Sequence, residues 1–153
     1  MLIAVGAVLA PNDGMADAAI TALVDKGGMN NIRDNIFITG QDAIKLGTDH
    51  IIDGAQKMTV YKPDSVAGRI AVLMARTLIE QPDILPSDME KAVAGIRDEL
   101  IEASGILDLE FKMDTEQYRP FVNGKPVNTL LVTPVSITKQ NVSLVPGAVS
   151  SKK

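Results

Sequence analysis

Apolar positions along the chain alternate between short continuous runs and longer, helically spaced stripes, and this rhythm predicts the first elements. Residues 3–10 are apolar almost throughout, the pattern of a strand buried on both faces of a parallel sheet. Pro11, Asn12, Asp13 and Gly14 turn the chain, and Asn12 or Asp13 is placed to cap the helix that follows. In that helix Met15, Ala18, Ala19, Ala22 and Leu23 form an apolar stripe that Gly27–Gly28 end. A second short strand is expected at 35–39, then a helix from Asp42 to Asp53 closed by Gly54. A third strand at 57–61 ends at Lys62–Pro63. The β-α-β-α-β order with short connections implies parallel strands joined by right-handed crossovers.

Past Pro63 the pattern changes. Asp64 or Ser65 is placed to cap a helix to Ile79 with Val66, Ile70, Leu73 and Leu78 on its inner side. After a linker marked by Pro82 and Pro86, Ser87 and Glu90 stand at capping-box spacing and open a helix to Ser104, with Gly105 behind it. Strands are expected at 107–113 and 128–133, separated by a polar stretch with the turn signal Asn123–Gly124. The aperiodic tail from Asn141 is expected to be loose.

Composition narrows the function. The chain of 153 residues is 46% hydrophobic and 22% charged, enough for a core of ordinary size. Its net charge of −4 carries no footprint for nucleic acid or an anionic membrane. Cysteine is absent, which removes disulfides, thiolate metal sites and cysteine nucleophiles, and a single histidine, His50, rules out a multi-histidine metal site. No cofactor is implied. The apolar start lacks a basic n-region, so no signal peptide is expected and the chain as written would stay cytoplasmic. No run has the length of a membrane span, so no membrane insertion is expected.

In an open parallel α/β sheet, ligands bind where the carboxyl ends of strands lead into helices. Those positions hold Asn12 and Asp13 after the first strand, Gln41 and Asp42 after the second, and Lys62 after the third. Amide, carboxylate and ammonium groups together match hydroxyls, which both donate and accept. By itself this defines a polar small-molecule site.

Three blocks make the pattern more specific. "GQDA" at 40–43 with "IIDG" at 51–54 and "QKMTVYKP" at 56–63 resembles the xylose-type periplasmic sugar-binding proteins of ABC transporters. "AVLAPNDGMADAAI" at 7–20 resembles the strand, turn and helix before it in that family, and "LLVTPVSITKQNV" at 130–142 their final hinge-crossing segment.

The resemblance implies a partial, doubly wound α/β lobe of the type I periplasmic-binding-protein kind, carrying an extra helical and strand insertion. Residues 1–63 would be the βαβαβ part of the lobe, 64–127 a helical extension and connector, and 128–153 a hinge-like strand and tail. Asn12, Asp42 and Lys62 match positions that hydrogen-bond the sugar, and Asp13 and Gln41 would shape or support the pocket. A monosaccharide ligand, an ABC permease partner and a periplasmic or cell-surface setting follow from the same resemblance. Measured against the family, the amino-terminal lobe and the opening βα portion of this lobe are missing. Weak or no sugar binding by the isolated chain is therefore expected, as is self-association through Val66, Ile70 and Leu73.

Blander readings stand beside these. Asn-Asp-Gly is more often a helix N-cap than a ligand site, Asp42 reads equally as a cap, and Lys62 as a solvated lysine. His50 reads as structural. Ser136 and Lys139 spell the nucleophile pattern of penicillin-binding proteins, but that chemistry needs a helix and the segment reads as extended. Two rival functions are a sugar-sensing regulatory module acting on a partner protein, and a Schiff-base enzyme using Lys62 with Asp42 as acid–base partner.

Overall fold

The computed structural model describes residues 5–105, 110–118, 121–123 and 125–148. In chain order the elements are β1 (Ala7–Leu9), α1 (Asp13–Asn35), β2 (Phe37–Thr39), α2 (Lys45–Asp53), β3 (Met58–Tyr61), α3 (Asp64–Glu80), α4 (Pro86–Ala94) and α5 (Arg97–Ser104). They are followed by β4 (Phe111–Asp114), β5 (Phe121–Val122), β6 (Lys125–Pro126), β7 (Thr129–Val132), β8 (Val135–Thr138) and a 3-10 turn (Val142–Leu144). The chain divides into two compact units, Met1–Lys62 with Pro134–Lys153, and Pro63–Thr133. The segment 128–153, read as one hinge-like strand and tail, is thus shared between the units at Thr133–Pro134.

The first unit is built on a four-stranded sheet in the order β1-β2-β3-β8. β1, β2 and β3 are parallel, as the alternating pattern predicts, and β8 returns antiparallel to β3. Register pairs Ala7 with Phe37 and Leu9 with Thr39, so the carboxyl ends of neighbouring parallel strands lie together. The β1 expectation needs correction. Val8 packs toward α1, but Leu9 is 82% exposed, so among the described residues the strand is covered on one face only. Residues 3 and 4 of the expected strand lie outside the described residues.

α1 also differs from its sequence reading. Its backbone leaves helical geometry at Gly28 (φ 77°), a conformation glycine adopts without a Cβ penalty, but the helix then resumes to Asn35. The buried stripe is Ala16, Ile20 and Ile32 with Leu23 and Val24 beside it, while Met15, Ala18 and Ala22 face outward. Both stripes fit helical spacing. The bulk of Ile20 selects the inward one, because burying an isoleucine side chain stabilises by about 1.5–3 kcal/mol and burying an alanine by far less.

The tail is another correction. Val142, Val145 and Ala148 are buried against Ala43, Ile51 and Ile137, so the segment from Asn141 to Ala148 is packed, its apolar residues arranged by a 3-10 turn rather than by a longer period. Residues 149–153 lie outside the described residues.

In the second unit α3 runs as expected, but its N-cap is Pro63 and no side chain caps it. Val66 and Ile70 are buried with Val93 and Leu100, and Leu73 packs against the same cluster. The expected self-association through Val66, Ile70 and Leu73 loses its basis, because α4, α5 and the β4–β7 ladder supply the cover. Leu78, expected inside, is exposed. The single helix expected from Ser87 to Ser104 is two helices, separated at Gly95–Ile96. The capping box does not form, because Pro86 occupies the first helical turn and moves the N-cap to Leu85. Gly105 (φ 69°) ends α5 in the left-handed conformation, as predicted. β5 and β6 flank Asn123, whose φ of 51° suits the tight turn its sequence signals.

Candidate ligand-binding site

The loops leaving β1, β2 and β3 meet along one edge of the first unit's sheet, and backbone hydrogen bonds join each to the next. Asp13 N–H donates to the Gln41 carbonyl at 2.9 Å, tying the first loop to the second. Asp42 N–H donates to the Val60 carbonyl at 2.8 Å, tying the second loop to β3. The Asp42 carboxylate then pairs with the Lys62 ammonium at 2.7 Å, with the two side chains 41% and 43% exposed. Positions 12, 41, 42 and 62 therefore share one rim.

Each side chain is placed by its local backbone. Asn12 is extended (φ −157°, ψ 171°) and its Oδ1 accepts from Met15 N–H at 2.8 Å, so it is the N-cap of α1. Asp42 is not a cap. Its φ is 92° and that of Ala43 is 49°, so α2 begins only after two left-handed residues, with Ile44 as N-cap and no cap from its own side chain. Left-handed geometry costs an L-residue roughly 1–2 kcal/mol, with aspartate among the more tolerant types, so something must hold the turn.

Asp13 holds it. The residue is 1% exposed and lies beneath the rim. Oδ2 accepts from Ile44 N–H at 3.0 Å; Oδ1 accepts from Thr59 Oγ1 at 2.7 Å and from Gln56 Nε2 at 2.9 Å. Ala43 N–H in turn donates to Thr59 Oγ1 at 3.2 Å. The distant carboxylate thus holds the backbone N–H of Ile44, the N-cap residue of α2. Gly40 and Gly47 leave it room, since a Cβ at either would fall well inside van der Waals contact of the carboxylate. Of these partners, Thr59, Gln56 and Gly47 are not singled out by the sequence. A hydroxyl between Met58 and Val60 in an otherwise apolar strand was the available signal for Thr59.

The opposite edge of the sheet is occupied differently. A cavity of about 340 Å³ there is lined by Arg33, Asp53, Gln56, Lys57 and Lys139, among others. Arg33 is bound to Asp53, whose carboxyl it holds below the usual range by hydrogen bonding, and Lys57 Nζ donates to the Arg33 and Gly54 carbonyls at 2.5 and 2.8 Å. His50 Nε2 lies 2.8 Å from Asp17 Oδ1, joining α2 to α1. Ser136 lies within β8 with Lys139 just beyond it, so the pair is not one helical turn apart. Among the described residues no helix is long and apolar enough to cross a membrane.

A mixed sheet whose three parallel strands gather polar side chains at their carboxyl ends defines an open α/β lobe of the kind that takes ligands at that edge. The chain belongs to the periplasmic binding protein domain family, whose match spans residues 3–82. Over 134 residues it is 41% identical to the 46 kDa surface antigen of Mesomycoplasma hyopneumoniae, a match covering 88% of this chain and 29% of that protein. It is 39% identical over 71 residues to the D-xylose-binding periplasmic protein of Escherichia coli K12, covering 46% of this chain and 20% of that one. The protein of the same name in Haemophilus influenzae is 44% identical over 59 residues, covering 39% of this chain and 17% of its own. The chain thus spans less than a third of the length of these relatives.

Proposed function

We propose that this chain binds a monosaccharide of the xylose type, as part of the substrate-binding protein of an ABC transporter held in the periplasm or at the cell surface. The observation that carries the reading is the Asp42–Lys62 pair, 2.7 Å apart and half-open to solvent at adjacent strand ends. Vicinal hydroxyls can insert at such a pair, one donating to the carboxylate and one accepting from the ammonium, through charge-assisted bonds about twice as strong as neutral ones. Asn12, on the neighbouring tip, offers an amide, while Gln41 and Asp13 fix the loops behind. The names of the two xylose-binding relatives support the sugar class, and that of the surface antigen supports an exterior location.

On this reading the protein is a receptor and catalyses no reaction. A Schiff-base lysine needs a desolvated amine, and Lys62 is 43% exposed and ion-paired. The matched lengths fit one part of a clamp, with the remaining sugar contacts and the permease-facing surface on other parts of the full-length protein. Titration of the labelled chain with xylose, ribose, glucose and galactose tests the reading. The expected result is weak, millimolar-range binding, about −4 kcal/mol, whose shifts centre on Asn12, Asp42 and Lys62 and vanish in Lys62→Met. Shifts that survive Lys62→Met, or that centre elsewhere, contradict it.

A further inference from the structure

We propose that Asp13 is the positioning residue of the rim: its buried carboxylate fixes the left-handed turn at Asp42 and Ala43, and so sets where Asp42 meets Lys62. The effect on binding rests on the sugar reading above; the effect on the turn does not. The bonds around Asp13 converge on the β2–α2 loop. Its own N–H holds Gln41, Oδ2 holds Ile44, and Oδ1 holds Thr59, which holds Ala43. Gly40 and Asp42 bind β3 instead: their N–H groups go to the Met58 and Val60 carbonyls, and the Asp42 side chain goes to Lys62. With both neighbours pinned, the backbone of Asp42 is fixed, and with it the direction in which its side chain leaves toward Lys62.

All three side-chain acceptor bonds of Asp13 come from neutral donors, and Gln56 is itself anchored to the Met58 carbonyl at 3.0 Å. An amide at position 13 therefore turns its NH2 either toward Ile44 N–H or toward Gln56 Nε2, donor against donor, while the Thr59 hydroxyl can turn to accept. Asp13→Asn must open at least one arm of the clamp. Thr59→Val cuts the relay to Ala43 while keeping the carboxylate, and Thr59→Ser keeps the hydroxyl.

Amide hydrogen exchange in the full chain reads the turn directly, with Phe37 and Lys57 as reference amides, since their N–H groups bond the Gly6 and Ile38 carbonyls. In Asp13→Asn and Thr59→Val, protection at Ala43 or Ile44 should fall about tenfold or more beyond any loss at the reference amides, and Thr59→Ser should retain it. A uniform loss at all four amides, or none, overturns the positioning role and leaves Asp13 a general stabiliser. If Asp13→Asn does not fold, Thr59→Val decides alone. Xylose titration of the same variants separates the two readings. A released turn in a chain that takes no sugar even as wild type contradicts the weak binding proposed above and leaves the positioning role standing. An unreleased turn removes the positioning role whatever the sugar does.

Discussion

Adding one methyl group to each of two helical glycines should change stability in opposite directions. In a helix interior, glycine to alanine ordinarily stabilises by about 0.5–1 kcal/mol, because alanine loses less backbone entropy. At Gly68 in α3 a Cβ meets nothing within 4 Å, so Gly68→Ala should gain that amount. At Gly47 in α2 the same Cβ collides with the Asp13 carboxylate, which is held by three hydrogen bonds and cannot step aside freely. Overpacking costs about 1–3 kcal/mol and one displaced bond to a charged group about 1.5–3, so after the propensity gain Gly47→Ala should destabilise by roughly 1.5–5.5 kcal/mol. The chain has no tryptophan, so urea unfolding is best followed by circular dichroism and by amide resonances in each unit. A Gly47→Ala protein as stable as wild type would refute the claim that α2 is seated on Asp13. A loss at Gly68 would refute the space argument itself.

Leu100, 1% exposed among Val66, Ile70 and Val93, should cost about 2–5 kcal/mol on truncation to alanine, whereas truncating exposed Val72 should change little; resonances of the second unit report both. Asp114 accepts from the N–H groups of Glu116, Gln117 and Tyr118, which hold its carboxyl below the usual 3.8. Because the folded value is depressed, its contribution is present at neutral pH and lost as pH falls through that folded value. Its carboxyl resonance should therefore titrate below 3.8, and Asp114→Ala should flatten the acid limb of the stability profile of its unit; an ordinary midpoint contradicts this.

The βαβαβ order was legible because short apolar runs are separated by turn-forming residues, and Gly54 and Gly105 mark helix ends through their positive φ. The register of the α1 stripe was not, since Ala16 and Ile20 compete with Met15 and Ala19 at the same period and only bulk against the sheet separates them. The break between α4 and α5 was hidden because Gly95 keeps helical angles (φ −63°, ψ −21°) and the helix departs only at Ile96. At the rim, Asn12, Gln41, Asp42 and Lys62 stand where their places after strands put them. For Asp13 the resemblance implied a supporting place, but its partners were hidden by its spelling. Asn-Asp-Gly has the same letters whether the aspartate faces water or anchors a loop 31 residues away, and only the fold brings Ile44, Gln56 and Thr59 to it.

The central claim is that the tips bearing Asn12, Asp42 and Lys62 grip one sugar together. Intermolecular nuclear Overhauser effects between unlabelled xylose and the isotopically labelled chain test it most directly. Contacts from a single sugar to the Lys62 side-chain methylenes, the Asp42 β-methylene and the Asn12 amide are the predicted result. Sugar contacts confined to other residues, or reaching only one tip, would contradict it.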